Sequence, residues 1–111
     1  MELRGSESVI FHCSANRNVG GRALGGQLYL TNERLVFEPR LIDRLSGREG
    51  FLDVPLISLM AADVAPRGAR FFDGSRRKRL RLRLIGESEE LFVVNRPEDL
   101  VAEIMQTARP Q

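Results

Sequence analysis

Hydrophobic and polar residues alternate along most of the chain, which is the pattern of β-strands whose two faces meet different surroundings. The alternation begins at Val9 and continues to Ala15, with every second residue apolar and directed inward. It is clearest at 79–84, where leucine and arginine take turns. Comparable runs occupy residues 23–31, 35–37, 51–54, 57–65 and 89–94. The pattern therefore predicts six or seven short antiparallel strands.

Turn-forming residues separate these runs. Asn32-Glu33 is a candidate two-residue hairpin turn, and Pro39 ends the strand that follows it. Gly25-Gly26 lies inside a strand pattern and predicts a bend or bulge, as the corner of a barrel requires. Residues 40–50 and 66–75 are long polar loops, and Gly86-Glu87-Ser88 is a further turn.

The period changes at Asn95, and the apolar positions that follow lie on one face of a helix. Pro97 and Glu98 are typical of a helix start, so we predict a helix at about 96–108. Its apolar stripe would be an aggregation liability if uncovered, so we expect the helix to cap one open end of a barrel. The stripe comprises Leu100, Val101, Ile104 and Met105. The predicted fold is mainly β: one domain over 1–111, with seven antiparallel strands in a small barrel or orthogonal sandwich.

The segment 25–39, GGQLYLTNERLVFEP, resembles the signature hairpin of GRAM domains. That hairpin has a glycine, a Leu-Tyr-Leu-Thr strand, a tight turn and an Arg-Leu-hydrophobic-Phe strand. The resemblance extends over nearly the whole chain, including Pro55-Leu56-Ile57 and the strand at 92–94. It implies a pleckstrin-homology-like barrel of seven strands with a C-terminal helix, here as a stand-alone domain. GRAM domains are linked to binding of phosphoinositides, other anionic lipids or proteins, so the resemblance implies a similar function.

Composition indicates an ordinary globular protein. The chain has 111 residues, of which 42% are hydrophobic and 29% charged, and this suits one soluble domain. The N-terminus lacks the apolar region of a signal peptide, and no apolar run approaches a membrane span. Lys78 is the single lysine among 17 basic residues, which indicates first a GC-rich genome and second a phosphate-reading surface. We expect a bacterial protein. We expect a cytoplasmic protein, with peripheral contact to the inner membrane surface as an extension of that expectation.

Residues suited to catalysis or metal binding are scarce. His12 is the only histidine, and the alternation directs it outward, away from the face that carries Cys13. One histidine and one cysteine on opposite faces give no metal ligand set and no nucleophile with a base. A lone cysteine also excludes an intramolecular disulfide. We therefore predict a non-enzymatic protein with no catalytic residue, no metal and no cofactor.

Charge is segregated along the sequence. Residues 67–83 hold eight basic residues against the single acid Asp73, although the net charge of the chain is only +2. Residues 87–103 hold six acids against Arg96. One interpretation is a cationic surface. The alternative is that the strand arginines at 79, 81 and 83 pair with the glutamates at 87, 89 and 90 on an adjoining strand.

The interpretation we prefer is a module that binds anionic membrane lipid headgroups weakly. The family topology implies that the loops after the first and fifth strands can lie at the same end of the barrel. The predicted anion-binding residues are Arg17, Arg22, Arg76, Arg77, Lys78 and Arg79. The alternative function is a protein-interaction or homo-oligomerisation module that uses open sheet edges and binds no lipid. Nucleic-acid binding is disfavoured, because the net charge is small and Tyr29 is the only tyrosine.

Overall fold

The computed structural model describes residues 1–19, 22–40, 50–65 and 78–108. They form seven strands: β1 Val9–Val19, β2 Arg22–Thr31, β3 Arg34–Pro39, β4 Leu52–Pro55, β5 Leu59–Ala65, β6 Arg79–Leu84 and β7 Glu89–Val93. A 3-10 turn at Leu56–Ser58 joins β4 to β5, and the helix α1 spans Pro97–Thr107. The predicted fold class, seven antiparallel strands followed by one C-terminal helix, is confirmed.

All seven strands belong to one antiparallel sheet in the order β4-β3-β2-β1-β7-β6-β5. The central strand β1 connects its two halves. It pairs with β2 from Val9 to Val19, and it pairs with β7 at Asn16 and Arg17. The edges of the sheet are β4 and β5, which follow each other in the chain. The sheet therefore curls so that its two edges meet near the turn at 56–58.

The alternation identifies the inner face of most strands. Leu28, Leu80 and Leu82 are buried, and the rings of Phe37 and Phe92 pack with their centroids 5.6 Å apart. Alternate residues of a strand point to opposite faces, so one periodic pattern supplies a continuous apolar layer. The remaining fully or nearly fully buried core positions of the strands include Leu24, Leu30, Leu35 and Val54.

Helix α1 packs on β5 and β6, as the apolar stripe predicts. Leu100 and Ile104 are buried and Val101 is partly buried against the core. Met105 is wrongly predicted as a core residue, because it is 40% exposed. It lies one residue beyond Ile104, about 100° further around the helix, and so at the margin of the stripe.

The glycine pair in β2 has a different role from the predicted bend. The pairing of β2 with β1 runs without a shift through Gly25 and Gly26, and the pairing of β2 with β3 starts at Gly26 and is likewise regular. A β-carbon at Gly26 would collide with the carbonyl oxygen of Glu38, so this glycine allows β2 and β3 to approach closely. The register instead shifts between Val9 and Phe11, at the start of β1, where Val9 is 40% exposed rather than buried.

The predicted turns are present. Asn32 and Glu33 connect β2 to β3, and the Asn32 side-chain oxygen accepts a hydrogen bond from the backbone N–H of Ser8 at 2.8 Å. The turn between β6 and β7 has positive φ at Gly86 (92°) and at Glu87 (67°). Glu87 is the one non-glycine residue with positive φ in the described part of the chain. Two successive left-handed residues are what a tight hairpin connection favours.

Candidate functional site

Arg17 lies on the inner face of β1, where its neighbours across the sheet are Leu24 and Phe92. Its Nε and Nη2 lie 3.0 and 2.9 Å from Glu90 Oε1, and its Nη1 donates to the carbonyl oxygen of Gly50 at 3.0 Å. The side chain is only 12% exposed. Arg17 therefore ties β1 to β7 and to the start of β4, and each of its guanidinium nitrogens already has an acceptor.

The other described members of the predicted set differ in exposure. Arg22 is exposed at the start of β2. Lys78 is exposed, and its Nζ lies 3.3 Å from Glu98 Oε1 in the first turn of α1. A hydrogen bond from the backbone N–H of Glu98, followed by the one from Lys78, lowers the pKa of that carboxyl. Arg79 is buried, although the leucine–arginine alternation predicts an outward side chain. The remaining two members, Arg76 and Arg77, lie outside the described residues.

The strand register separates the described residues that flank the loops after the first and fifth strands, while residues 20–21 and 66–77 themselves lie outside the described part of the chain. Arg17 of β1 pairs with Phe92 of β7, which pairs with Leu80 of β6. Both β1 and β6 are antiparallel to β7, so they run in the same direction. Arg17, Phe92 and Leu80 thus form one row across the three strands. Val19 lies beyond this row at the C-terminal end of β1, whereas Lys78 lies on the opposite side of the row, before the N-terminal end of β6. Arg22, just after β1, and Lys78, just before β6, therefore adjoin opposite ends of these strands.

The arginines of β6 pair mainly with carboxylates of neighbouring strands. Arg81 binds Asp63 of β5 through Nε and Nη2 at 2.8 and 2.7 Å. These hydrogen bonds lower the pKa of Asp63 and raise that of Arg81. Arg83 Nε lies 3.5 Å from Glu89 Oε2 on β7. The alternative of cross-strand pairing is thus confirmed for Arg83, while Arg81 takes its partner from β5 rather than from β7.

A second arginine network, which the alternation did not predict, fastens residues 1–8 to the sheet. Arg34, the first residue of β3, donates from Nε to Glu7 Oε2 at 2.8 Å and from Nη1 to Asp53 Oδ2 at 2.7 Å. Its Nη2 donates to the carbonyl oxygen of Glu2 at 2.8 Å. Glu7 and Arg34 are 27 residues apart in the chain, so no local spacing signals their contact. In the sequence, Arg34 is distinguished only as the arginine of the hairpin at 25–39 that resembles GRAM domains.

The carboxylate of Glu7 is held in its charged form. Its side chain is completely buried, and it accepts hydrogen bonds from Arg34 and from the Thr31 hydroxyl. Hydrogen bonding by Arg34, then by Thr31, lowers its pKa from 4.5 to about 2, against the opposing effect of burial. The hydrogen bond to Glu7, followed by the one to Asp53, raises the pKa of Arg34. This paired and buried carboxylate is a structural anchor.

The network borders a cavity of about 560 Å³ between the N-terminal residues and strands β3 and β4. Apolar side chains such as Leu3 and Val36 line it beside Arg34 and Asp53. Each guanidinium nitrogen of Arg34 already donates to an acceptor within the chain. Arg34 is therefore engaged in holding the fold at this cavity.

The described residues show no constellation for metal binding. His12 is exposed and stacks on Tyr29 with ring centroids 5.8 Å apart. Cys13 is partly buried, and this burial raises the pKa of its thiol. Within the described ranges, no three His, Cys, Asp or Glu side chains are grouped to hold a metal ion. In the same ranges, no helix has the length and apolar character needed to cross a membrane.

No family model and no curated protein matches the chain, whereas solved structures do. The N-terminal PH domain of Vps36 shares 20% identity at a TM-score of 0.62, over 97% of this chain and 81% of that one. The DH/PH domains of p115-RhoGEF share 10% identity at a TM-score of 0.69, over 95% of this chain and 31% of that one. The hSac2 domain of the human phosphoinositide phosphatase Sac2 shares 16% identity at a TM-score of 0.63, over 96% of this chain and 73% of that one. These structural similarities identify a pleckstrin-homology-like fold, and at identities this low they show the fold alone.

Proposed function

We propose that this pleckstrin-homology-like domain is a non-enzymatic binding module that associates weakly with anionic membrane lipid headgroups. The observation that carries the proposal is the segregation of charge, with eight basic residues against one acid at 67–83. Lys78, the first residue of this segment that the structure describes, is exposed. The similarity to PH domains, and to a domain of a phosphoinositide phosphatase, supports this class of ligand. Membership of the GRAM family and a cytoplasmic, peripheral location are parts of the same proposal.

The structure narrows the set of residues available for such binding. Arg17 is engaged with Glu90, and Arg79 is buried, so we assign both to the fold. Arg22 and Lys78 remain exposed. Because Arg22 and Lys78 adjoin opposite ends of the strands, we assign the binding to Arg76, Arg77 and Lys78. Each basic residue near an anionic surface contributes about 1 kcal/mol, so these three give a dissociation constant in the millimolar range or weaker. Stronger binding requires several copies or a second contact with the membrane.

Sedimentation with vesicles tests this proposal. We expect the parent protein to bind vesicles that contain phosphatidylserine and not vesicles of phosphatidylcholine alone. The triple variant Arg76→Gln, Arg77→Gln, Lys78→Gln should lose this binding. A control neutralises two other arginines, Arg4 and Arg96, which lie outside residues 67–83 and whose side chains are 63% and 83% exposed. Equal loss in both variants would show that net charge, rather than the cationic segment, controls binding.

A second candidate function, interaction with a protein or with another copy of the chain, is favoured by an exposed apolar patch. Ile57 and Met60 are 89% and 68% exposed beside the turn at 56–58. Ile85 is 64% exposed, and its N–H donates to the carbonyl oxygen of Ser58 at 2.9 Å, so it lies beside the same turn. Contiguous exposed apolar side chains commonly mark interaction sites. Light scattering decides: a dimer that becomes monomeric in Ile57→Ser, Ile85→Ser would favour this function.

A further inference from the structure

A small polar groove lies on the outer face of the sheet, where β1 meets the end of β7. Its volume is about 170 Å³, and it is separate from the residues predicted to bind anions. Asn16 of β1 pairs with Val93 on one side and with Gly25 of β2 on the other. Ser14, Asn95 and Arg40 also line it. This volume is several times what a single water needs, so the groove has room for a small polyatomic group.

Arg40 gives this groove its charge. It directly follows β3, and its backbone N–H donates to the carbonyl oxygen of Gly25 at 2.9 Å. Arg40 is exposed, and its guanidinium forms no ion pair among the described residues. The described lining contains no carboxylate. An arginine without a counter-ion in a polar recess favours an anionic ligand.

Gly25 provides the space that brings Arg40 and Asn16 together. A β-carbon at this position would lie 3.1 Å from Arg40 Cζ and 3.2 Å from Asn16 Oδ1. Both side chains therefore occupy the volume above Gly25 that any other residue would fill. On the outer face, the absence of a side chain at Gly25 leaves room for Arg40 and Asn16. Gly26 instead allows β2 and β3 to approach closely.

The neutral residues of the groove add donors from two other directions. Gln27 Nε2 donates to Ser14 Oγ at 3.1 Å, and this leaves the Ser14 hydroxyl proton able to donate to a ligand. Asn16 and Asn95 each carry a carboxamide NH₂ group. The donors thus come from β1, from the end of β3 and from the segment between β7 and α1. A tetrahedral anion with several acceptor oxygens can use all three directions, whereas a planar carboxylate is satisfied by the arginine fork alone.

We propose that the groove formed by Arg40, Asn16, Ser14 and Asn95 binds a phosphate group. The ligand is a phosphomonoester, either in a lipid headgroup or in a small soluble compound. Arg40 supplies the charge and a forked pair of donors, and the other three side chains orient the remaining oxygens. The proposal deepens the proposed function, on which it rests for its ligand class. It locates the headgroup site away from Arg17 and from the cationic segment.

Nuclear magnetic resonance with inorganic phosphate as the probe tests the groove directly. Titration against chloride at constant ionic strength should shift the side-chain amide signals of Asn16 and Asn95 and the Nε signal of Arg40, all with one saturable dissociation constant. Arg40→Gln should weaken binding by about tenfold or more, because a charge-assisted hydrogen bond is lost. Arg4→Gln removes the same charge from another site, 63% exposed, that belongs to neither proposed binding surface, and should leave the constant unchanged. Gly25→Ala should also weaken binding, because the added carbon displaces Arg40 and Asn16.

Two further arms separate the sources of the phosphate. Glycerol 3-phosphate represents a soluble ligand, and vesicles containing phosphatidic acid represent a lipid headgroup. Vesicles of phosphatidylserine at equal surface charge are the control, because their phosphate is a diester. Binding to phosphatidic acid that exceeds the control and depends on Arg40 supports a headgroup, and Arg40-dependent binding of glycerol 3-phosphate alone supports a soluble ligand.

The groove proposal is overturned if phosphate leaves the Asn16 and Asn95 signals unmoved, or if Arg40→Gln and Arg4→Gln weaken binding equally. Its failure is distinguishable from failure of the proposed function. Vesicle binding that depends on Arg76, Arg77 and Lys78 but not on Arg40 would reject the groove and retain the lipid-binding module. Specific phosphate shifts in a protein that ignores every anionic vesicle would do the reverse.

Discussion

Arg34 and Arg40 stand at the two ends of β3, only six positions apart, yet their surroundings differ completely. Arg34 is buried and donates to Glu7, Asp53 and a backbone carbonyl. Arg40 is exposed in a groove whose described lining has no carboxylate. The comparison shows that the acceptors around an arginine, and not its presence in a basic sequence, decide whether it holds the fold or remains available to a ligand.

Removing Arg34 should have the largest effect. Arg34→Met leaves the buried Glu7 carboxylate without its cation, and we expect unfolding to become easier by about 3 kcal/mol, the lower end for broken buried pairs, because the network reaches the surface at Asp53. Arg40→Met should change stability by less than about 0.5 kcal/mol. Urea unfolding of both variants compares the two ends of β3. Equal losses would contradict the contrast between them.

Arg17 should have an intermediate effect. Arg17→Met leaves Glu90 and the carbonyl oxygen of Gly50 without a donor, which costs about 1–3 kcal/mol. Vesicle binding measured below the melting temperature should be unchanged, because the donors of Arg17 are already used. A variant that keeps its stability and loses vesicle binding would restore Arg17 to the ligand site.

Acid should weaken the Arg34 network in a defined range. The pKa of Glu7 is about 2 in the folded protein against an ordinary 4.5, so its contribution is complete above about pH 4.5 and is lost as the pH falls towards 2. Asp63, whose pKa Arg81 lowers, acts in the same direction. Denaturant unfolding across this range should show falling stability, with a shallower fall in Glu7→Gln. Identical pH profiles for the two proteins would contradict the assignment.

The smallest effect is expected at the exposed pair of Lys78 and Glu98. Both side chains are 57% exposed, and such pairs contribute little because water screens them. Lys78→Gln should therefore leave the thermal midpoint almost unchanged. A large decrease would place Lys78 with Arg34 as a structural residue and remove it from the set available to a membrane.

The sequence predicts the features that depend on local patterns. Alternation identifies the inner leucines of β2 and β6, and the helical period locates α1 within a residue of its observed bounds, Pro97–Thr107. Contacts between distant segments leave no such pattern: Arg17 and Glu90 are 73 residues apart. Alternation shows on which face of a strand a residue lies, but it does not show whether other parts of the chain cover that face. Arg79 is therefore predicted as exposed, whereas the structure buries it.

The central claim is that the domain binds anionic membranes weakly and electrostatically, and sedimentation with vesicles at two salt concentrations tests it most directly. We predict binding to phosphatidylserine vesicles at low salt, none to phosphatidylcholine, and loss of binding by ~0.5 M salt, where the screening length is only a few ångströms. A protein that ignores phosphatidylserine vesicles at low salt, or that binds both kinds of vesicle equally at high salt, would contradict the claim.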